Sequence, residues 1–544
     1  MLRKSLFAVI LSLLAAYAFG QPQPLNRPKL VVGIVVDQMR WDYLYRYYDR
    51  YGNGGFRRLL SEGFSCGNTF INYLPSFTAP GHACVFTGSI PALDGIAGND
   101  WTEQLTGLHM YCTQDSTVES VGIPNSVEGQ MSPRNLLVST ITDELRMATN
   151  FQSKVVGVSL KDRAAILPAG HTGNAAFWLD DASGRFISST YYMKQLPEWA
   201  NQFNQQNKIE QLMHNGWTTL YPLNTYIQSD SDNKLYEGKF AGETAAVFPH
   251  HIKEAYEKNK GFFRSTPFGN TFTLDFAAAA IDGYQLGRGT ATDFLTVNCA
   301  STDYVGHLFG PNSIEVEDTY LRLDRDLSRF LSMLDAKIGK DKYLVFLTAD
   351  HGAAQSVGYL QQHQLPTGFF ISQTIIDELN RILLSKFGEE KLVISGMNYQ
   401  INFDMKKINE KHLDFDAIKK SAVDYLQQQP GVNFAVDLSK IGDSPIPEPL
   451  KTMIINGYHS KRSGPIEVIF NAGWLESYAK TGTTHGSWNP YDTHIPLVFM
   501  GWGIRQGSSN AIIHMTDIAP TIAAMLHIQM PNGSIGVPIR ELMK

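Results

Sequence analysis

The feature that most constrains this chain is a set of short apolar runs set apart by longer segments with helical patterning: LVVGIVV (30–36), SKVVGVSL (153–160), DFLTVNCA (293–300), YLVFLTA (343–349) and IPLVFMGWG (495–503). Strands covered on both faces read as continuous apolar runs, and strands joined through helices pair in parallel. The pattern predicts an α/β fold with a mostly parallel sheet flanked by helices. Sheets of this kind bind ligands beyond the carboxyl ends of their strands. Four of the five runs are followed within three residues by Asp37, Lys161, Asp303 or Asp350, so the chemistry is expected along that edge.

Two stretches depart from this rhythm. Residues 170 to about 285 are rich in Asn, Gln, Tyr and Trp with weak periodicity, and 355 to about 480 carry their own αβ patterning, including FDAIKKSAVDYLQQQ at 415–429. Both are expected to be insertions that cap the active edge, the alternative being a second domain folded apart from the site. At the N-terminus, Arg3 and Lys4 precede an apolar stretch from Leu6 to Phe19, with small residues at Ala18 and Gly20, the pattern of a secretory signal peptide. A stretch of about 14 residues is shorter than the roughly 20 that a membrane-spanning helix needs. The expectation is a signal peptide at 1–20 and a catalytic domain at 21–544, exported to the periplasm or secreted, with no stable membrane insertion.

Composition narrows the partners. With 46 Lys+Arg against 52 Asp+Glu and no long basic block, nucleic acid is a poor fit and a small-molecule substrate a better one. Oligomeric state is left open, a monomer being compatible. Cys66, Cys84, Cys112 and Cys299 form no CxxC pair; bridges in three possible connectivities and buried thiols both stay open.

The residues that carry chemistry lie in five short motifs. Asp37 ends a strand in VVDQMRWDYL, where a lone Asp most often caps a turn. In YLPSFTAPGHACVFTG, Thr78 precedes Pro80 and a helix-compatible run; this is an ordinary helix start, or a hydroxyl nucleophile beside N–H groups that bind an anion. ASTDYVGHLFGP sets Asp303 and His307 four apart after a strand, a spacing that can converge on one metal. LTADHG supplies adjacent Asp350 and His351, and KTGTTHGSWNPYDTHIP supplies His485, whereas His494 has no such context and is read as structural.

Taken together, Asp37, Thr78, Asp303, His307, Asp350, His351 and His485 resemble, in order and setting, the alkaline phosphatase superfamily and its exported branch with a threonine nucleophile. The likeness runs from about residue 28 to the C-terminus and includes AGND (97–100) and SLKDRA (159–164). It implies two zinc ions per chain, one held by Asp303, His307 and His485 and the other by Asp37, Asp350 and His351 with the Thr78 oxygen. Three N/O ligands with an open position is, independently, the pattern of a catalytic zinc. The resemblance further implies hydrolysis of phosphate monoesters through a covalent phosphothreonine at Thr78, with Asn99, Lys161 and Arg163 on the phosphate oxygens and no third metal. In extended chain Lys161 and Arg163 face one side and Asp162 the other. The nearest alternative is a phosphodiesterase or nucleotide pyrophosphatase on the same scaffold. Its singly charged substrate needs an apolar pocket where a monoesterase needs positive charge.

Overall fold

Leu30–Val36 is buried at every position, the mark of a central strand with both faces covered. In the computed structural model, which describes residues 25–477 and 480–544, it lies parallel to Tyr343–Thr348 on one side and to Asp293–Cys299 on the other. Val155–Val158 and then Ala175–Asp180 extend the parallel series. Val35 is level with Thr348 and Val36 with Cys299, so Asp37, Asp350 and Asp303, each one to four residues further on, leave the sheet at a common edge.

The 11-stranded sheet runs His494–Ile495, Phe64–Phe70, Leu497–Gly501, Tyr343–Thr348, Leu30–Val36, Asp293–Cys299, Val155–Val158, Ala175–Asp180, Arg185–Ser189, Ser120–Val121, with Gly507–His514 beside Phe64–Phe70. The sheet is mixed: the apolar run at 495–503 yields Leu497–Gly501, which pairs antiparallel to Tyr343–Thr348. The loop carrying His485 already lies at the carboxyl edge, so the strand that follows it starts there and runs back. Helices Phe268–Gly283 and Ile314–Lys337 pack together, the first also against Asp293–Cys299. The second starts at Ser313, whose hydroxyl accepts from the Val316 N–H at 3.1 Å.

Within 170–285, Ala175–Asp180 and Arg185–Ser189 form an antiparallel pair of the main sheet, and Phe268–Gly283 is one of its covering helices. The intervening residues are tied down by buried polar contacts. Trp217 Nε1 donates to Asp318 at 2.7 Å, and His250 lies between Glu243 and Glu315 at 3.0 and 2.9 Å. The stretch 355–480 holds a separate antiparallel sheet, in the order Val393–Ser395, Gln400–Phe403, Ile466–Phe470, Val432–Asp437. Helices Ser372–Phe387 and Phe415–Leu426 cover it around a core that includes Leu379, Leu383, Ile418, Leu426 and Ile466.

All four cysteines are free, buried thiols, which decides between the two readings of the sequence. No helix among the described residues is long and apolar enough to cross a membrane. The expected signal peptide at 1–20 lies outside the described residues.

Candidate metal centre

The sheet edge brings two groups of ligand atoms together. Asp37, Asp350 and His351 place ligand atoms within 4.8 Å of one another, and so do Asp303, His351 and His485, all of them buried. His351 thus belongs to both groups. Its ring stacks on His485 with centroids 3.4 Å apart. His307 stands beside the second group, its Nε2 3.1 Å from Asp303 Oδ1.

The hydrogen bonds around these side chains show which atoms face the centre. Nδ1 of His307, His351 and His485 lies 2.9, 2.9 and 2.8 Å from the carbonyls of Thr483, Gly352 and Ser76 respectively. A carbonyl only accepts, so each Nδ1 carries the proton and each ring turns Nε2 inward, the arrangement typical of metal-ligating histidines. Asp37 Oδ1 and Asp350 Oδ2 are buried with no hydrogen-bond partner. Buried unpaired carboxylate oxygens are costly, and a divalent cation coordinated by them would remove that cost. The residues therefore fit metal binding.

Electrostatics agree. Burial and the neighbouring Asp37 push the Asp350 carboxyl well above its ordinary range, as expected where carboxylates crowd without a compensating cation. Burial also opposes ionisation of Asp303, but His307 and Lys161 outweigh it and hold that group well below its ordinary range. Burial lowers His351 to about 4, which leaves its Nε2 lone pair available.

Thr78 opens the helix Thr78–Thr87. Its hydroxyl is 3.3 Å from His351 Nε2, the residue common to both groups. The next N–H, of Ala79, donates to Asn99 Oδ1 at 2.9 Å, which leaves the amide NH2 of Asn99 as its remaining donor. Lys161 Nζ lies 2.8 Å from Asp37 Oδ2 and 2.7 Å from Asp303 Oδ2, so one buried ammonium spans both groups. Burial works against that charge, but Asp303 and Asp37 more than offset it and raise the lysine pKa.

The extended geometry expected for 161–163 is not what forms. Only Lys161 is extended; Asp162–Ala169 is a helix, so Lys161 and Arg163 do not alternate with Asp162 as in a strand. Tyr111 links the two helical residues instead: Arg163 Nη1 donates to the Tyr111 hydroxyl at 3.0 Å, and that hydroxyl donates to Asp162 at 2.8 Å. A cavity of about 450 Å³ opens beside them, lined in part by Tyr111, Asp162, Arg264 and Tyr304.

Three contributors escape sequence reasoning. Gln38, at φ 61°, donates its side-chain amide to Asp303 at 2.7 Å and its backbone N–H to Asp350 at 3.1 Å. Its position directly after Asp37 was the available signal. His82, one helical turn beyond Thr78, has Nδ1 2.9 Å from the Thr78 carbonyl and 3.5 Å from Asp350. Tyr399, from the 355–480 unit, reaches the His485 carbonyl at 2.6 Å, and nothing local in sequence announces it. His494 is structural as expected, its Nε2 2.9 Å from the Gly67 carbonyl and its ring stacked between Trp41 and Phe70.

A family model described as Type I phosphodiesterase / nucleotide pyrophosphatase matches residues 31–492. Alkaline phosphatase PafA of Elizabethkingia meningoseptica is 56% identical over 95% of each chain. A protein of Myroides odoratus named calcium-transporting ATPase is 52% identical over 97% of each. The crystal structure of wild-type PafA superposes with a TM-score of 0.94 at 55% identity, covering 96% of this chain and all of that one; a PafA variant carrying four substitutions gives the same score at 54% identity and the same coverage. With the metal-fitting edge and these full-length likenesses in hand, the chain belongs to the alkaline phosphatase superfamily, among its PafA-like alkaline phosphatases.

Proposed function

We propose that the chain is an exported two-zinc phosphomonoesterase in which Thr78 is the nucleophile. The observation that carries this reading is the placement of the Thr78 hydroxyl 3.3 Å from His351 Nε2, where the two candidate metal groups meet. Asp37, Asp350 and His351 would hold one ion, and Asp303, His307 and His485 the other. Nitrogen and carboxylate ligands suit zinc. When bound, such a pair supplies positive charge to the attacking and departing oxygens of an in-line displacement.

The chain's own residues account for the rest. Thr78, at the first position of its helix, attacks phosphorus and releases the alcohol; water then cleaves the phosphothreonine, returning inorganic phosphate and the free hydroxyl. Asn99 donates to a non-bridging oxygen through its NH2 group. Lys161 and Arg163 supply fixed positive charge to the dianionic phosphoryl group, and as preorganised donors in a water-poor site they stabilise the charge of the transition state. The substituted PafA variant supports this assignment: its threonine, asparagine, lysine and arginine replacements have the same order and separations along the chain as Thr78, Asn99, Lys161 and Arg163. The cavity beside Tyr111 and Tyr304 is large enough for the carbon portion of a small ester. The 355–480 unit acts as a cap, and the excursion within 170–285 as a second wall.

The alternative is a phosphodiesterase, the activity in the description of the matching family. The Arg163 guanidinium favours the monoesterase, because a diester lacks the second charge that would balance it, whereas Lys161 is already paired with Asp37 and Asp303. Metal analysis of the active enzyme, with rates on one monoester and one diester, tests the proposal. Two zinc ions per chain and a strong monoester preference are expected. One metal per chain, or a diester preference, would contradict it.

A further inference from the structure

The Met397–Tyr399 turn of the 355–480 unit reaches the cleft in a backbone conformation that needs outside support. Asn398 and Tyr399 both have φ of 62°; asparagine enters this left-handed region readily, but a bulky residue such as Tyr399 does so only where tertiary contacts hold it there. Those contacts lead to the site. The Tyr399 hydroxyl donates to the carbonyl of His485 at 2.6 Å. Its ring packs on Phe77 with centroids 5.7 Å apart, next to Thr78. Gly486 permits the approach: its φ is 117°, and a Cβ there would lie 2.6 Å from Phe77 and 2.7 Å from Tyr399.

Asn398 makes the matching contact on the other side. Its Nδ2 donates to the carbonyl of Asp100 at 2.7 Å, the residue after Asn99. Gly98 leaves the space, since a Cβ there would lie 2.4 Å from that nitrogen. His485 is otherwise anchored through Nδ1 to Ser76 and is followed by the conformationally free Gly486. Rotation of the peptide between them would carry the imidazole with it, and the tyrosine hydroxyl removes that freedom.

We propose that Tyr399 and Asn398 are positioning residues: one strained turn of the cap fixes the backbone of His485 and of the Asn99–Asp100 segment, and so sets metal ligand and phosphate ligand against each other. The proposal rests on the reading of His485 and Asn99 given under Proposed function. Loss of a partner that orients a metal ligand typically costs about 10–100-fold in metal affinity or activity.

The test compares wild type with Tyr399→Phe, which keeps the ring, Asn398→Gly, which keeps the left-handed turn, and His485→Ala. Melting temperature, zinc release to a chelator, and kcat and KM on an aryl phosphate are measured for each. Tyr399→Phe should melt close to wild type, release zinc about tenfold faster, lose about tenfold in kcat/KM mainly through kcat, and add no further loss to His485→Ala. Asn398→Gly should raise KM with kcat less affected, and it keeps the test decisive if Tyr399→Phe folds poorly. Zinc release, kcat and KM unchanged in both turn variants, while His485→Ala loses zinc, would overturn the proposal and leave the ligand assignment standing. Full zinc content in His485→Ala would overturn the assignment itself, and the positioning role with it.

Discussion

Lys161, fully buried, and Arg163, partly buried, are both cations near the cleft, yet their surroundings separate what each can report. Lys161 touches Asp37 and Asp303 at 2.8 and 2.7 Å, so Lys161→Ala is expected to disturb both metal groups and to lower monoester and diester rates together. Arg163 is held by Tyr111 and tests charge recognition more cleanly. A charged hydrogen bond contributes about 1.5–3 kcal/mol; Arg163→Ala should therefore lower kcat/KM for an aryl phosphate by roughly ten- to a hundredfold and for its methyl diester by much less. Equal losses on the two substrates would assign Arg163 to structure. The difference between these residues was not legible in SLKDRA. Lysine is a poor helix cap and Pro168 lies inside the helix that follows, so local signals favoured extended chain where Asp162–Ala169 coils.

At the scale of elements, what the sequence disclosed follows from burial. Asp37, Asp303 and Asp350 stood out because the strands before them are largely apolar, and the aligned register of those strands brings them to one edge. Contributions from elsewhere in the chain were invisible. The antiparallel direction of Leu497–Gly501 depends on where the His485 loop ends, and the place of Tyr399 depends on how the 355–480 unit packs against the His485 loop. The excursion within 170–285 likewise hides a buried charge. His250 is fully buried between Glu243 and Glu315, with Glu237 and Asp232 nearby. Burial alone would lower its pKa, but the two glutamates raise it from 6.5 to about 9. A group raised in this way stabilises the fold fully below its unfolded pKa and loses that contribution as pH rises through the folded value. Glu237, pushed up to about 9 by burial and then by Glu315, acts in the same direction. Melting temperature should fall as pH rises from about 6.5 toward and past 9, with His250 contributing at most about 3 kcal/mol at the low end. His250→Gln should melt lower near neutrality and flatten that dependence; an unchanged slope would show that the cluster does not hold its proton.

In the whole molecule three parts meet at one edge: a sheet that delivers three aspartates, a helix that presents Thr78, and the 355–480 unit, whose Tyr399 hydroxyl reaches the His485 carbonyl. Metal should couple them. Buried carboxylate oxygens on Asp37 and Asp350 have no partner of their own, so zinc removal is expected to lower the melting temperature as well as abolish turnover, and zinc alone to restore both. A ligand at a thousandfold excess over its dissociation constant stabilises the native state by about 4 kcal/mol, enough to see in a thermal scan. Recovery that required magnesium would contradict the two-site assignment. The central claim, that Thr78 carries the phosphoryl group, is tested most directly by incubating the enzyme with phosphate, quenching in acid, and locating the label by peptide mass spectrometry. The expected result is phosphate on Thr78 in the wild type, none in Thr78→Ala together with nearly complete loss of turnover, and a reduced but measurable rate in Thr78→Ser. Phosphate found on another residue, or wild-type turnover by Thr78→Ala, would contradict it.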